Sequence, residues 1–343
     1  SVGSSELRGD CRIDLSDSRP RIVSNLEAPL IQLDDFHARG WSPVRESGRE
    51  AGGPSSAKGL VKILSHESLS SFDADVRLKV DSVRSGMDIL GGGLGHLEVA
   101  DSRLTLHELS LDIPGGEFKG SFLFHPKPNG RLDWDAEIGA EGVDVGVLAR
   151  RMNPDSPVGG VAHVALDLGA RDVLSRVPEI GHATGSLNLD LCPENFDAGP
   201  VDLWATNLAL AVLAKLDHRS HSEVNCLVAR LKVENGIIIP ETLGLDTTAV
   251  RVVANGKIDL PKGVYDLRLI PIPKRPQMLT VRVPLGVKGT LANPEIDMGR
   301  MPVVHSLVGL TGSTLLFPAR ALVGHHLPAD GSDICPCVKG RGE

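Results

Sequence analysis

Aromatic residues are scarce: seven Phe, three Trp and one Tyr in 343 residues. Packing therefore falls to Val, Leu and Ile. No apolar run reaches the ~20 residues that span a bilayer. Positive charge is not in excess; the formal net charge is −8. That argues against a nucleic-acid partner, which needs a basic footprint, and no basic segment is dense enough to draw the chain to anionic lipid. The chain opens on Ser1 without a charged-then-apolar leader, so the expected reading is an N-terminus that is missing or removed.

Catalytic patterns are also lacking. No G-x-S-x-G elbow occurs. Gly91-Gly92-Gly93-Leu94-Gly95 lacks the last Gly of a dinucleotide loop and the Lys-Ser/Thr of a phosphate loop. It reads instead as a glycine turn between Ile89 and Leu97. The recurrent Asp73, Asp75, Asp133, Asp135, Asp167 and Asp190 alternate with apolar residues, as solvated strand faces do. His218 and His221 sit in a polar stretch. His325, His326, Cys335 and Cys337 are four donors close in sequence, but one residue between cysteines is too few for a zinc knuckle. Neither a metal nor a cofactor is expected. Five cysteines, Cys11, Cys192, Cys226, Cys335 and Cys337, leave at least one unpaired in a monomer.

Alternation of period two is abundant, and it places one apolar face on each strand. Leu227, Ala229, Leu231 and Val233 alternate with Val228, Arg230 and Lys232. Val281, Val283, Leu285 and Val287 alternate with Arg282, Pro284 and Gly286. Val76, Leu78 and Val80 alternate with Arg77 and Lys79; Phe118, Phe122 and Phe124, then Leu132, Trp134, Ala136 and Ile138, repeat the pattern. Turn chemistry separates the runs at Asn235-Gly236, Ala254-Asn255-Gly256, Pro261-Lys262-Gly263 and Asn293-Pro294, so tight antiparallel hairpins are expected. Short helices are expected within residues 60–69 and over Val143–Met152 and Ala170–Val177. One-sided strands suit an open groove and a two-sheet sandwich equally well, and periodicity does not choose between them.

Four segments follow. Residues 1–38 hold two or three short strands that end a preceding β portion. Residues 39–71, rich in Gly, Ser, Pro and charge, read as a loop or linker. Residues 72–299 form the main β domain. Residues 300–343 form a helical, Cys-containing tail; Val303–Ala319 is too interrupted by Gly309, Gly312 and Pro318 to span a bilayer.

The order of short motifs after Asn225 carries a resemblance. Cys226 opens a strand, and Leu245-Asp246-Thr247 and Gly256-Lys257-Ile258-Asp259-Leu260 follow. Then come Asp266-Leu267-Arg268-Leu269-Ile270-Pro271-Ile272-Pro273-Lys274, Gly289-Thr290-Leu291 and Asn293-Pro294. This order resembles the C-terminal region of the AsmA family of bacterial envelope proteins. Ala254-Asn255-Gly256 departs from it, standing where the family usually has a Gly-x-Gly turn. The resemblance extends more thinly back to Phe72. It implies a mostly β chain: an elongated, curved antiparallel sheet forming an apolar groove, a few short helices and a C-terminal helical cap. It further implies a non-enzymatic protein that carries phospholipid between inner and outer membranes, with membranes at the groove ends. On that reading the protein is periplasmic, held to the inner membrane by an N-terminal helix missing from this sequence. A structural or assembly factor for outer-membrane proteins is the alternative. Leu227, Ala229, Leu231, Val233, Val281, Val283, Leu285, Val287, Val76, Leu78 and Val80 would line the groove. The family's late Cys suggests a disulfide from Cys226 to Cys335 or Cys337, which an oxidising periplasm permits.

Overall fold

Strands with one apolar and one polar face gain most by lying side by side with the apolar faces on one side, and this chain does so throughout. A computed structural model describes residues 4–36, 64–85, 88–175, 177–197, 222–274, 285–290, 294–297 and 327–338. Its strands are β1 (Glu6–Asp14), β2 (Arg21–Gln32), β3 (Asp73–Ser85), β4 (Asp88–Ala100), β5 (Arg103–Ile113), β6 (Gly116–Pro126), β7 (Leu132–Asp144) and β8 (Gly159–Val173). They continue as β9 (Thr184–Glu194), β10 (Val224–Glu234), β11 (Ile237–Thr247), β12 (Val250–Asp259), β13 (Val264–Pro273), β14 (Leu285–Thr290) and β15 (Pro294–Asp297). All fifteen belong to one sheet in which sequence order is spatial order. The sheet is curved and does not close. With neighbouring strands ~4.8 Å apart, it extends roughly 65 Å from β1 to β15.

Neighbours run antiparallel except β2 and β3, which are parallel. A parallel pair cannot be joined by a hairpin, so the chain must cross back between Gln32 and Asp73. The return ends in α1 (His66–Leu69), capped where the Ser65 hydroxyl accepts from the Ser68 N–H at 3.2 Å. The Asp73 N–H then donates to Pro20 O, 2.9 Å. A second helix, α2 (Val145–Met152), follows β7; the Asp144 carboxylate caps it, accepting from Gly146 N at 2.7 Å and Val147 N at 3.2 Å.

Several local expectations are corrected. Gly91-Gly92-Gly93 is not a turn but lies inside β4. Gly91 has φ +122, and a Cβ there would stand 2.5 Å from Asp112 Cβ, so glycine allows an irregular strand to lie against β5. Asn255-Gly256 likewise lies within β12; the flanking hairpins turn at residues 248–249 and 260–263 instead. Ala170–Val173 ends β8, because Ala170 pairs with Trp134 and Val173 with Leu132; strand pairing overrides weak helical propensity. Residues 6–32 form two long strands continuous with the main sheet rather than two or three short ones. The tail described over 327–338 has one 3-10 turn, Pro336–Val338, and no α-helix; Val303–Ala319 lies outside the described residues.

Candidate functional site

Cross-strand register decides which side chains share a face. Leu78, Gly95, Leu109, Gly120, Ile138, Leu166, Leu187, Leu231 and Pro240 stand opposite one another in turn, an unbroken apolar row from β3 to β11. A second row starts at Val76 and passes through Leu97, Leu106, Phe122, Ala136, Leu168, Gly185, Val233 and Ile238 to Ile258 in β12. Beyond β12 the same face carries Ala254, Leu269 and Leu285, with Val287 opposite Leu267. One residue away the register reverses character: Ser121, Glu137, Asp167, Ser186 and Lys232 form a polar row on the other face. Ion pairs such as Arg171–Asp135 and Arg230–Asp190, both 2.7 Å, lie there.

The apolar face is neither bare nor closed. Leu78, Leu106, Phe122, Ile138, Leu166, Leu187 and Leu231 are half-buried, although no second sheet lies over them among the described residues. Side chains of a single layer shelter one another this way when the layer is concave on their side. Along one set of strand ends the trough is packed shut. There Leu69 of α1, 1% exposed, joins Phe124, Leu132, Trp134, Leu168 and Val233 in a buried strip, with Leu64 and Phe72 packed on it. A smaller cluster of Ala28, Val80, Val83 and Leu90 lies toward the other ends of β2–β4.

On the outer, polar face of β9–β13 the tail is fastened. Cys226 is bonded to Cys335, and Cys192 to Cys337; Cys11 is free and exposed. Beside the sulfurs lies a buried ion cluster. Asp246, 0% exposed, accepts from Arg251 Nε at 2.8 Å, Lys274 Nζ at 2.6 Å and Asn225 Nδ2 at 2.8 Å. Arg251 also grips the tail's Asp333 through both terminal nitrogens, 2.8 and 2.6 Å. That hydrogen bonding holds the Asp333 carboxyl below its ordinary range. Lys274 Nζ and Asn225 Nδ2 both donate to Ala329 O, at 3.1 and 2.7 Å. Two cations and two carboxylates thus leave no net charge in the clasp.

Comparison with known proteins adds a second line. No family model matches the sequence, and no solved structure does. Among curated proteins, the chain is 23% identical over 353 aligned residues to AsmA family protein YhjG of Escherichia coli (strain K12). The alignment covers 96% of this chain and 50% of the relative, so the chain spans about half that protein's length. The chain is thus similar, over nearly its whole length, to a protein of the AsmA family.

The motifs that first suggested the AsmA family acquire positions. Asp246 of Leu-Asp-Thr and Lys274 of Ile-Pro-Ile-Pro-Lys meet in the clasp, 28 residues apart in sequence. Thr247 ties the β11–β12 hairpin, its hydroxyl donating to Val250 O at 3.0 Å and accepting from Val250 N at 2.9 Å. Of the residues expected along the groove, Leu227, Ala229, Leu231, Val233, Leu285, Val287, Val76, Leu78 and Val80 share the apolar face. Val80, Ala229 and Val233 are buried in it; Val281 and Val283 lie outside the described residues. Sequence reasoning left Cys192 without a partner and did not single out Asp246, Arg251, Lys274 or Asp333; the count of five cysteines said only that at least one stays unpaired, which is Cys11. Among the described residues no cluster of three or more metal-ligating side chains occurs, and no helix is long and apolar enough to cross a membrane. His325, His326, His218 and His221 lie outside them.

Proposed function

We propose that this AsmA-type envelope protein is non-enzymatic and carries phospholipid along its apolar trough, between inner and outer membranes, in support of outer-membrane biogenesis. The chain then works in the periplasm, held to the inner membrane by an N-terminal helix, with a membrane at each end of the groove. The observation that carries this reading is the unbroken apolar row from Leu78 to Pro240, half-buried except at the exposed Leu109. A surface of this extent in water is costly unless something apolar lies on it. Acyl chains suit it, because each methylene sheltered contributes ~0.8 kcal/mol while the headgroup remains in water at the open side. Sliding along such a row requires no reacting group.

Photo-crosslinking tests the reading directly. A photoreactive residue at Leu231, on the trough, should capture phospholipid from vesicles, and one at Lys232, on the outer face, should not. Lipid extracted from the purified chain should be identifiable by mass spectrometry. No lipid in the extract and no crosslink from position 231 would favour a structural role in outer-membrane protein assembly instead.

A further inference from the structure

Within the buried strip beside α1, one polar group stands apart. Trp134 is 4% exposed, and its indole Nε1 has no hydrogen-bond partner among the described residues. Two other buried atoms, Arg19 Nε and Asp190 Oδ1, also make no hydrogen bond, but their side chains are paired: Arg19 to Phe72 O at 3.2 Å and Asp73 at 2.6 Å, and Asp190 to the Arg230 guanidinium, 2.8 Å from Oδ2 and 2.7 Å from Oδ1. A tryptophan side chain has a single polar atom, so the Trp134 side chain is wholly unmatched. A buried indole N–H nearly always finds an acceptor, because leaving it without one forfeits its hydration.

The position narrows the acceptor. Trp134 stands opposite Phe124 and Ala170 on the trough face. The next residue on that face, Ala136, belongs to the half-buried row, one pleat repeat or roughly 7 Å further along the strand. A ligand in the trough reaches Trp134 at the edge of the closed strip, where Leu64, Leu69 and Phe72 cover the face. The neighbouring side chains are hydrocarbon, so the acceptor must arrive on an otherwise apolar molecule. An acyl ester carbonyl, the junction between a lipid's chains and its headgroup, has that chemistry.

We propose that Trp134 is a specificity residue of the trough: its indole N–H donates to the ester carbonyl of a bound acyl lipid, which displaces part of the α1 covering. This rests on the lipid-carriage reading, and the test separates the two. Dipalmitoyl phosphatidylcholine and its di-O-hexadecyl ether analogue, which lacks both carbonyls, are offered to the full chain in vesicles. The wild-type chain should bind the ester about five-fold more tightly, the worth of one hydrogen bond, and Trp134→Phe should bind both equally, at the ether's level. A 15N-indole spectrum gives a readout that does not depend on that variant folding. The Trp134 N–H peak, assigned by elimination with Trp41→Phe and Trp204→Phe, should move with the ester lipid and stay with the ether. Equal wild-type binding of both lipids, or an unmoved peak on ester binding, overturns this proposal and leaves carriage standing. An ester preference that persists in folded Trp134→Phe overturns it likewise. Binding of neither lipid overturns both.

Discussion

The two ends of the sheet are held together by different means. From β2 to β8 cohesion comes mainly from inside the trough, where α1 and the strip around Phe124, Leu132 and Trp134, which reaches as far as Val233 of β10, exclude water. From β9 to β13 the main fastening is outside, where two disulfides and a buried ion cluster pin residues 327–338 to the polar face. The difference shows how a single-layer sheet can keep its apolar face available. Stabilisation that would otherwise require a covering layer is moved to the opposite side and made covalent or ionic. The chain's second half can thus leave Leu231, Leu285 and Val287 half-buried without losing rigidity.

Breaking the clasp should cost most. Asp246→Ala strands Arg251 and Lys274, 9% and 2% exposed in their side chains, without the carboxylate between them. Loss of one partner from a buried ion group destabilises by about 3–5 kcal/mol, and urea denaturation should show a loss of that size; a loss under 1 kcal/mol would mean that water already reaches the cluster. Next comes the interior fastening. Leu69→Ala should cost about 2–4 kcal/mol by emptying a packed site. Hydrogen exchange should then rise most in β3–β8, less around Val233 of β10, and stay unchanged in β12 and β13; uniform loss would mean the two regions are not separately secured. Cys337→Ser removes one of two bridges and should cost about 2–3 kcal/mol, visible as a lower Tm that reductant hardly lowers further on that bridge's account.

The smallest effect concerns pH. Arg251 depresses the Asp333 pKa, so the pair's contribution is fully present above the ordinary aspartate value of about 3.9 and is lost as pH falls through the lower folded value. With both disulfides reduced, protease attack on residues 327–338 should stay constant from neutrality down to about pH 4 and rise only below it. A rise beginning near pH 6 would show that Asp333 does not govern the tail.

Much of the sheet was legible because side-chain alternation is a local property. Leu227 to Val233 and Val76 to Val80 announce their faces without reference to any partner. The curvature that leaves those faces half-open is not local, and neither is the register that aligns fifteen strands. Glycine misled twice: at Gly91 and Gly256 it relieves a close approach within a strand, and the same residue type in sequence signals a turn. The parallel pairing of β2 and β3 depends on a crossover of some forty residues, Leu33 to Phe72, which composition alone presents as a linker. In the clasp, Asp246 and Asp333 are joined only through Arg251, and nothing in their spacing foretells it. The tail was expected to cap an apolar sheet end; its described part instead covers Cys226 and Val228 on the outer face, a small apolar patch that alternation assigns to the polar side.

The position of the sulfur bridges has a mechanical consequence. Cys226–Cys335 spans 109 residues, and strands β11 to β15 lie inside the covalent ring it closes. Tension applied beyond Val338 passes through Cys337 and Cys335 straight into β9 and β10, bypassing every strand between. The four-residue edge strand β15, which would otherwise peel first when pulled, is slack under such traction. Under such a pull the sheet would hold its shape at its C-terminal edge.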